Sequence, residues 1–218
     1  MRRSRIGALI TVLIIIPCCI LTWAKTGGAA ATAPQATSPG AQEQLPFGGL
    51  LASDEFSKTF GAHQFTPFGD SKFSLSISTP NGWESHLSEA DPDQIEHDTE
   101  GAVPIAEFYP NGADDVGINV QYIRAAADKT LATVVDEYVK ANGGTVVTRQ
   151  QLTSKSGSME DALMKSNNDD LGPLLTRVTV LRRGTIVFIY TGWCVEEKYE
   201  KFKRLFGASL ESFTPTGN

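Results

Sequence analysis

The C-terminal third of the chain has a hydrophobic pattern that predicts two long strands. Residues 174–181 are rich in aliphatic and β-branched side chains, and residues 185–191 follow after a short turn at 182–184. Apolar residues occur on both sides of each strand, which is typical of strands in the middle of a sheet that is covered on both faces. The pattern therefore predicts a central hairpin with a layer packed on each side.

A helix is predicted directly after this hairpin. Its apolar residues fall at helical spacing and share one face, so that they can cover one side of the hairpin. They are Val195, Tyr199, Phe202, Phe206 and Phe213.

Alternating patterns predict further strands upstream. Residues 73–78 alternate strictly, and residues 103–109 and 116–123 form a second hairpin around a Pro-Asn-Gly turn. A strand is expected at 145–152 and a weaker one at 160–165. These strands follow one another through short connections, so the sheet is expected to be mainly antiparallel.

A second helix is predicted between residues 131 and 142. Leu131 begins an i, i+3, i+4, i+7 apolar stripe, Asp128 or Thr130 caps the N terminus, and Gly143 ends the helix. Together these elements predict an α+β fold in which helices pack on both faces of the sheet, an α/β/α sandwich. We place this domain at residues 50–218.

The N-terminal region has a different composition. Arg2, Arg3 and Arg5 precede an apolar run over 6–24, which is the pattern of an export signal and is also long enough for a transmembrane anchor. We therefore expect residues 1–24 to contact the bacterial inner membrane as an anchor, with the domain in the periplasm, or to be cleaved as a signal peptide. Residues 25–49 are rich in Ala, Pro and Gly and are expected to form a flexible linker.

The charge and cysteine content narrow the possible partners. The formal net charge is −6, and the exported part carries −9 because residues 1–24 hold three arginines and no acid. This sign argues against nucleic acid and against anionic lipid headgroups. Cys194 alone lies outside the apolar run, so no internal disulfide is expected.

The order of elements resembles the PsbP/Mog1-like family over roughly 65–215. A strand ends in Pro80-Asn81-Gly82-Trp83, with Trp83 as a core anchor, and a hairpin, a helix and a meander of strands follow before a terminal helix closes on Ser212-Phe213. The resemblance implies a binding or assembly accessory, usually without catalysis. Members include a photosystem extrinsic subunit, a small-GTPase-binding protein and bacterial envelope proteins.

An acidic segment at 84–100 is the first candidate site. It is interpreted as an exposed loop without basic residues other than histidine, and its oxygen and imidazole groups are ligands that Ca²⁺ or Mn²⁺ accept. The spacing matches no known metal loop, so a solvated acidic face is the competing interpretation. The candidate ligands are His86, Glu89, Asp91, Asp93, Glu96 and His97.

Cys194 is the second candidate, because it precedes the predicted helix, whose N terminus would lower the pKa of the thiol. A nucleophile also needs a base nearby, and no recognisable motif surrounds Cys194, so we favour a buried structural cysteine.

Arg177, Arg182 and Arg183 form a third cluster. Arg182 and Arg183 are expected at a hairpin tip, either solvated or docking an acidic partner.

These observations favour a non-catalytic accessory protein that binds or helps assemble another envelope protein or membrane complex. No cofactor is expected. The alternative is a periplasmic module that binds Ca²⁺, Mn²⁺ or a small ligand through the 84–100 segment.

Overall fold

The computed structural model describes residues 47–48, 51–66, 74–87, 102–154 and 156–216, and all of these belong to one compact unit. The helices among them are α1 (Ser53–Thr59), α2 (Leu131–Ala141) and α3 (Tyr199–Ser212). The strands are β1 (Phe60–Phe65), β2 (Ser74–Pro80), β3 (Trp83–Leu87), β4 (Val103–Pro110), β5 (Val116–Arg124), β6 (Thr145–Ser154), β7 (Gly157–Asn168), β8 (Gly172–Arg183), β9 (Ile186–Val195) and β10 (Thr214–Thr216).

Two sheets contain these strands. The larger has seven strands in the order β3-β4-β5-β9-β8-β7-β6, and each neighbouring pair is antiparallel. The smaller sheet has the order β1-β2-β10. The hairpin formed by β8 and β9 occupies the interior of the larger sheet, as its pattern predicts.

The larger sheet is buried on both faces. Ile186, Phe188 and Tyr190 of β9 enter one apolar cluster with residues of α3 and the small sheet. Val187 and Ile189 enter a second cluster with α2. A helix therefore packs on each face, and the predicted α+β sandwich is confirmed.

Helix α3 starts later than the pattern predicts. Val195 is the last residue of β9, a 3-10 turn spans Glu196–Lys198, and Phe213 follows the end of the helix. Phe206 is fully buried, and the Tyr190 hydroxyl donates a 2.9 Å hydrogen bond to its carbonyl oxygen. A Cβ placed at Gly192 would lie 2.5 Å from the Phe206 ring, so the absence of a side chain there lets the helix approach β9.

Helix α2 has the predicted ends. The Thr133 amide donates to the Thr130 hydroxyl at 3.1 Å, so Thr130, and not Asp128, is the N-cap. Gly143 has a φ of 62° after the C terminus, a backbone conformation that glycine adopts without strain.

Several elements depart from the prediction. The weaker strand expected at 160–165 is β7, which spans Gly157–Asn168 and is paired on both sides. Residues 84–87 belong to β3 and are not a loop. Trp83 is half-buried at the rim of the core and meets Phe202 edge to face, with ring centroids 6.5 Å apart.

The domain takes in residues that precede the predicted boundary at Leu50. Phe47, assigned to the linker, is only 2% exposed and belongs to the larger apolar cluster. The remaining linker residues up to Pro46, together with the apolar run at 6–24, lie outside the described residues. Among the residues that are described, no helix is long and apolar enough to cross a membrane.

We predict that Phe206→Ala lowers the free energy of unfolding by about 3–5 kcal/mol, because it removes a fully buried ring. Phe202→Ala is the matched control, since Phe202 lies on the same helix but is only half-buried. Denaturant unfolding measures both. Equal losses for the two variants would contradict the deeper burial of Phe206.

Candidate functional site

The acidic candidate segment begins on an exposed strand at the edge of the sheet. Glu84, Ser85, His86 and Leu87 of β3 are all exposed. Glu89, Asp91, Asp93, Glu96 and His97 lie outside the described residues. Among the residues that the structure describes, no three His, Cys, Asp or Glu side chains form a group that could hold a metal ion.

The register of β3 against β4 places its polar side chains in pairs. Glu84 lies opposite Tyr109, and His86 lies opposite Glu107. The His86 ring stacks on Tyr109 with a centroid distance of 5.1 Å and an interplanar angle of 28°. Neither Glu84 nor Glu107 forms an ion pair with another described residue. We call the four residues Glu84, His86, Glu107 and Tyr109 the acidic edge.

The same sheet face continues inward from the acidic edge to β9. Gly117 of β5 pairs with Trp193, and a Cβ at Gly117 would lie 2.8 Å from the indole Nε1. The indole therefore lies directly on the Gly117 backbone, and its Nε1 is buried without a hydrogen-bond acceptor among the described residues. Trp193 and Asn119 are half-buried, so this part of the face is polar and aromatic and not a sealed core.

Helix α2 borders this face through Tyr138. Burial raises the pKa of Tyr138 to about 12, while hydrogen bonds with Thr191 and Gln121 act in the opposite direction. The hydroxyl therefore stays protonated at neutral pH. It can donate one hydrogen bond and ties the helix to the sheet.

Cys194 lies inside β9 and is fully buried, opposite Val116 on one neighbouring strand and Leu175 on the other. The pKa of its thiol is raised to about 12, first by burial and then by the Asp115 charge, while Lys198 acts in the opposite direction. The expectation that a helix N terminus would lower this pKa is wrong, because α3 starts at Tyr199. The favoured interpretation, a structural cysteine, agrees with this burial.

Arg182 and Arg183 lie at the end of β8 and are half-buried. The Arg182 guanidinium donates to the carbonyl oxygens of Ala125 at 3.2 Å and Ala126 at 3.3 Å, and also to that of Lys129. Arg183 Nε lies 3.5 Å from the Pro215 carbonyl oxygen. The structure thus uses Arg182 to hold the segment that leads into α2, while its predicted role in partner binding stays a prediction.

The structure also contains a buried ion pair that sequence reasoning missed. Arg177 and Asp161 are 1% and 0% exposed, and two hydrogen bonds of 3.1 and 3.0 Å join the guanidinium to the carboxylate. Asp161 also accepts hydrogen bonds from Thr179 at 2.6 Å and Gln150 at 2.8 Å. The Phe47 ring covers the guanidinium at 5.1 Å. The sequence does carry a signal for this ion pair, because each of two apolar strands contains one charged residue.

We predict that the Cys194 thiol of the native protein does not react with a maleimide at pH 8, because its raised pKa and its burial withhold the thiolate. A variant with Cys18→Ser and Cys19→Ser makes Cys194 the reporter, and mass spectrometry measures labelling. Unfolding in guanidinium is the control and should give full labelling. Rapid labelling of the native protein would overturn this assignment.

We predict that Arg177→Met destabilises the fold by about 3–5 kcal/mol, because Asp161 is left as an uncompensated buried charge. The control is Lys165→Met, which breaks the half-exposed Lys165–Glu196 pair and should cost at most about 1 kcal/mol. Adding Asp161→Leu to Arg177→Met should recover part of the loss. Denaturant unfolding measures the stability of each variant. A double variant as unstable as Arg177→Met alone would contradict the role of the buried charge.

Comparisons with known proteins support the fold. No family model matches the chain, and no curated protein matches it significantly. Among solved structures, cyanobacterial PsbP from Synechocystis sp. PCC 6803 matches with a TM-score of 0.51 and 13% identity, over 70% of this chain and 91% of that one. LpqN of Mycobacterium tuberculosis, a protein involved in cell envelope biogenesis, matches with a TM-score of 0.49 and 13% identity, over 78% of this chain and 99% of that one. At this identity the PsbP likeness shows the fold alone, and the domain has the predicted PsbP/Mog1-like fold.

Proposed function

We propose that this chain is a non-catalytic accessory protein, tethered to the bacterial inner membrane, that binds or helps assemble another envelope protein. The observation that carries the proposal is that the potentially reactive side chains are buried, whereas an outer strand with acidic side chains is exposed. Cys194 and the Arg177–Asp161 ion pair lie in the core. By contrast, β3 is an exposed outer strand, and Glu84 and Glu107 have no ion-pair partner among the described residues. Such an arrangement favours a binding module over an enzyme.

The buried groups are poorly placed for chemistry. Cys194 is 0% exposed with a pKa of about 12, and a nucleophile needs an accessible thiolate with a base beside it. Asp161 is held by Arg177, Thr179 and Gln150, so its oxygens are already engaged. These side chains stabilise packing and have no access to a substrate.

The N-terminal sequence supports the proposed location. Three arginines precede the apolar run at 6–24, and the Ala-, Pro- and Gly-rich stretch after it lacks the apolar content of a core. A chain of this composition would hold a domain at some distance from a bilayer. The PsbP-like fold adds support by analogy alone, because one fold can carry many functions.

We predict that the full-length chain fractionates with membranes and that a pull-down from gently solubilised membranes recovers a defined partner. Replacing residues 6–24 with a cleavable export signal is the matched control and should release the domain into the periplasm. Recovery of the chain in the cytosolic fraction, or of no partner with the tether intact, would count against the proposal.

Calorimetry with Ca²⁺ and Mn²⁺ separates the proposed function from the metal-binding alternative, which requires heat of binding.

A further inference from the structure

We infer that the free edge of β3 receives an extended, basic segment of a partner protein, which adds to the larger sheet as an eighth strand beside β3. This inference rests on the proposed function and names the surface and the chemistry of the partner. It follows from an open edge, an uneven distribution of charge and the side chains that line the edge.

The edge itself is open in the part of the chain that the structure describes. β3 is the outermost strand of its sheet and pairs there with β4 alone. Glu84 to Leu87 are exposed, and the Leu87 side chain is 55% exposed. The outer side of such a strand presents backbone N–H and C=O groups that an added strand can pair with.

Charge decides which kind of segment fits. The strands β3, β4 and β5, together with the turn between β4 and β5, contain four acids and one basic residue, Arg124 at the end of β5, whereas residues 125–218 contain 12 basic residues and 11 acids. The half of the sheet next to this edge therefore carries a net negative charge. The four acids are Glu84, Glu107, Asp114 and Asp115.

The same charge disfavours other occupants. A second copy pairing through its own β3 would bring acidic edges together, and like charges on adjacent strands are destabilising. Nucleic acid and anionic lipid headgroups are repelled for the same reason. The negative charge of this half of the sheet attracts a segment rich in lysine or arginine.

The side chains of the acidic edge offer alternate contacts to such a strand. Glu84 and His86 lie two residues apart on one face of β3, beside Tyr109 and Glu107 of β4. Both carboxylates lack an ion pair with any described residue. Basic residues at alternate positions of the added strand would therefore meet these carboxylates.

The opposite edge of the sheet lacks this chemistry and serves as an internal control. β6 is the outermost strand there. Its Arg149 already pairs with Asp136 and, at 3.3 Å, with Glu160. Those two carboxylates are thereby neutralised, so among the described residues a basic segment finds no uncompensated pair of acids beside β6.

The first experiment measures binding of a fluorescent ten-residue peptide of alternating Lys and Thr to the full-length chain in mild detergent, by anisotropy. Glu84→Gln with Glu107→Gln should weaken binding by about tenfold or more. Asp169→Asn with Asp170→Asn removes the same charge from the exposed turn between β7 and β8 and should change binding by less than about twofold. Equal weakening by both pairs of substitutions would overturn the inference.

A backbone arm tests strand addition itself. The same peptide with alternate N-methyl groups, placed on the side that would pair with β3, keeps its charge but cannot donate the ladder hydrogen bonds, so it should bind at least about tenfold more weakly. A peptide of alternating Glu and Thr should not bind. Unchanged affinity of the N-methylated peptide would overturn strand addition.

A cross-linking arm in the cells that naturally produce the chain separates this inference from the proposed function. A photo-reactive benzoylphenylalanine replaces Leu87 on β3 or Gln151 on β6. An adduct at position 87 alone, in which the cross-linked partner peptide is rich in Lys and Arg, supports the inference. An adduct at position 151 alone, or a partner peptide without basic residues, overturns the inference but leaves the proposed function standing. No adduct at either position, together with no partner in the pull-down, overturns both.

Discussion

The fold depends on a central strand that must be covered on both faces. β9 places Ile186, Phe188 and Tyr190 in one apolar cluster and Val187 and Ile189 in the other, so neither face tolerates water. One helix on each side meets this demand, and α3 comes close enough because Gly192 leaves room for the Phe206 ring. Burial of apolar surface is the main favourable term in folding. The outer strands of the larger sheet extend on either side of this central strand.

The buried ion pair is a second constraint within that core. Two charges removed from water are costly unless geometry and hydrogen bonds compensate, and here the Asp161 carboxylate is bonded by Arg177, Thr179 and Gln150. These residues come from β6, β7 and β8, so the network requires these three strands to be in register. The Phe47 ring lies against the Arg177 guanidinium, so this residue, which precedes α1 in the chain, belongs to the domain.

In the proposed function, structural and binding roles are separated in space. Arg177 and Arg182 belong to one basic cluster in the sequence, yet Arg177 pairs with buried Asp161 and Arg182 binds backbone carbonyl oxygens. Cys194 is buried, as the favoured interpretation expects. Glu84 and Glu107, which have no ion-pair partner among the described residues, lie with His86 and Tyr109 at the β3 edge of the larger sheet. A rigid sheet that presents such an edge suits recognition of another chain, because the scaffold positions the strand before any partner arrives.

The sequence by itself determined the elements with strong periodicity, namely the hairpins of β4 with β5 and of β8 with β9, and the helices α2 and α3. Period and turn chemistry are local properties, so Thr130, Gly143 and the apolar stripes can be read along the chain. The strands β1 and β10 carry no comparable pattern along the chain. They form strands because each pairs with β2. Only the tertiary structure decided that Asp161 meets Arg177 across the register of two strands, that Phe47 covers them, and that Cys194 points into the core. Each of these depends on contacts between residues distant in sequence, and burial set by those contacts also sets the pKa of the thiol.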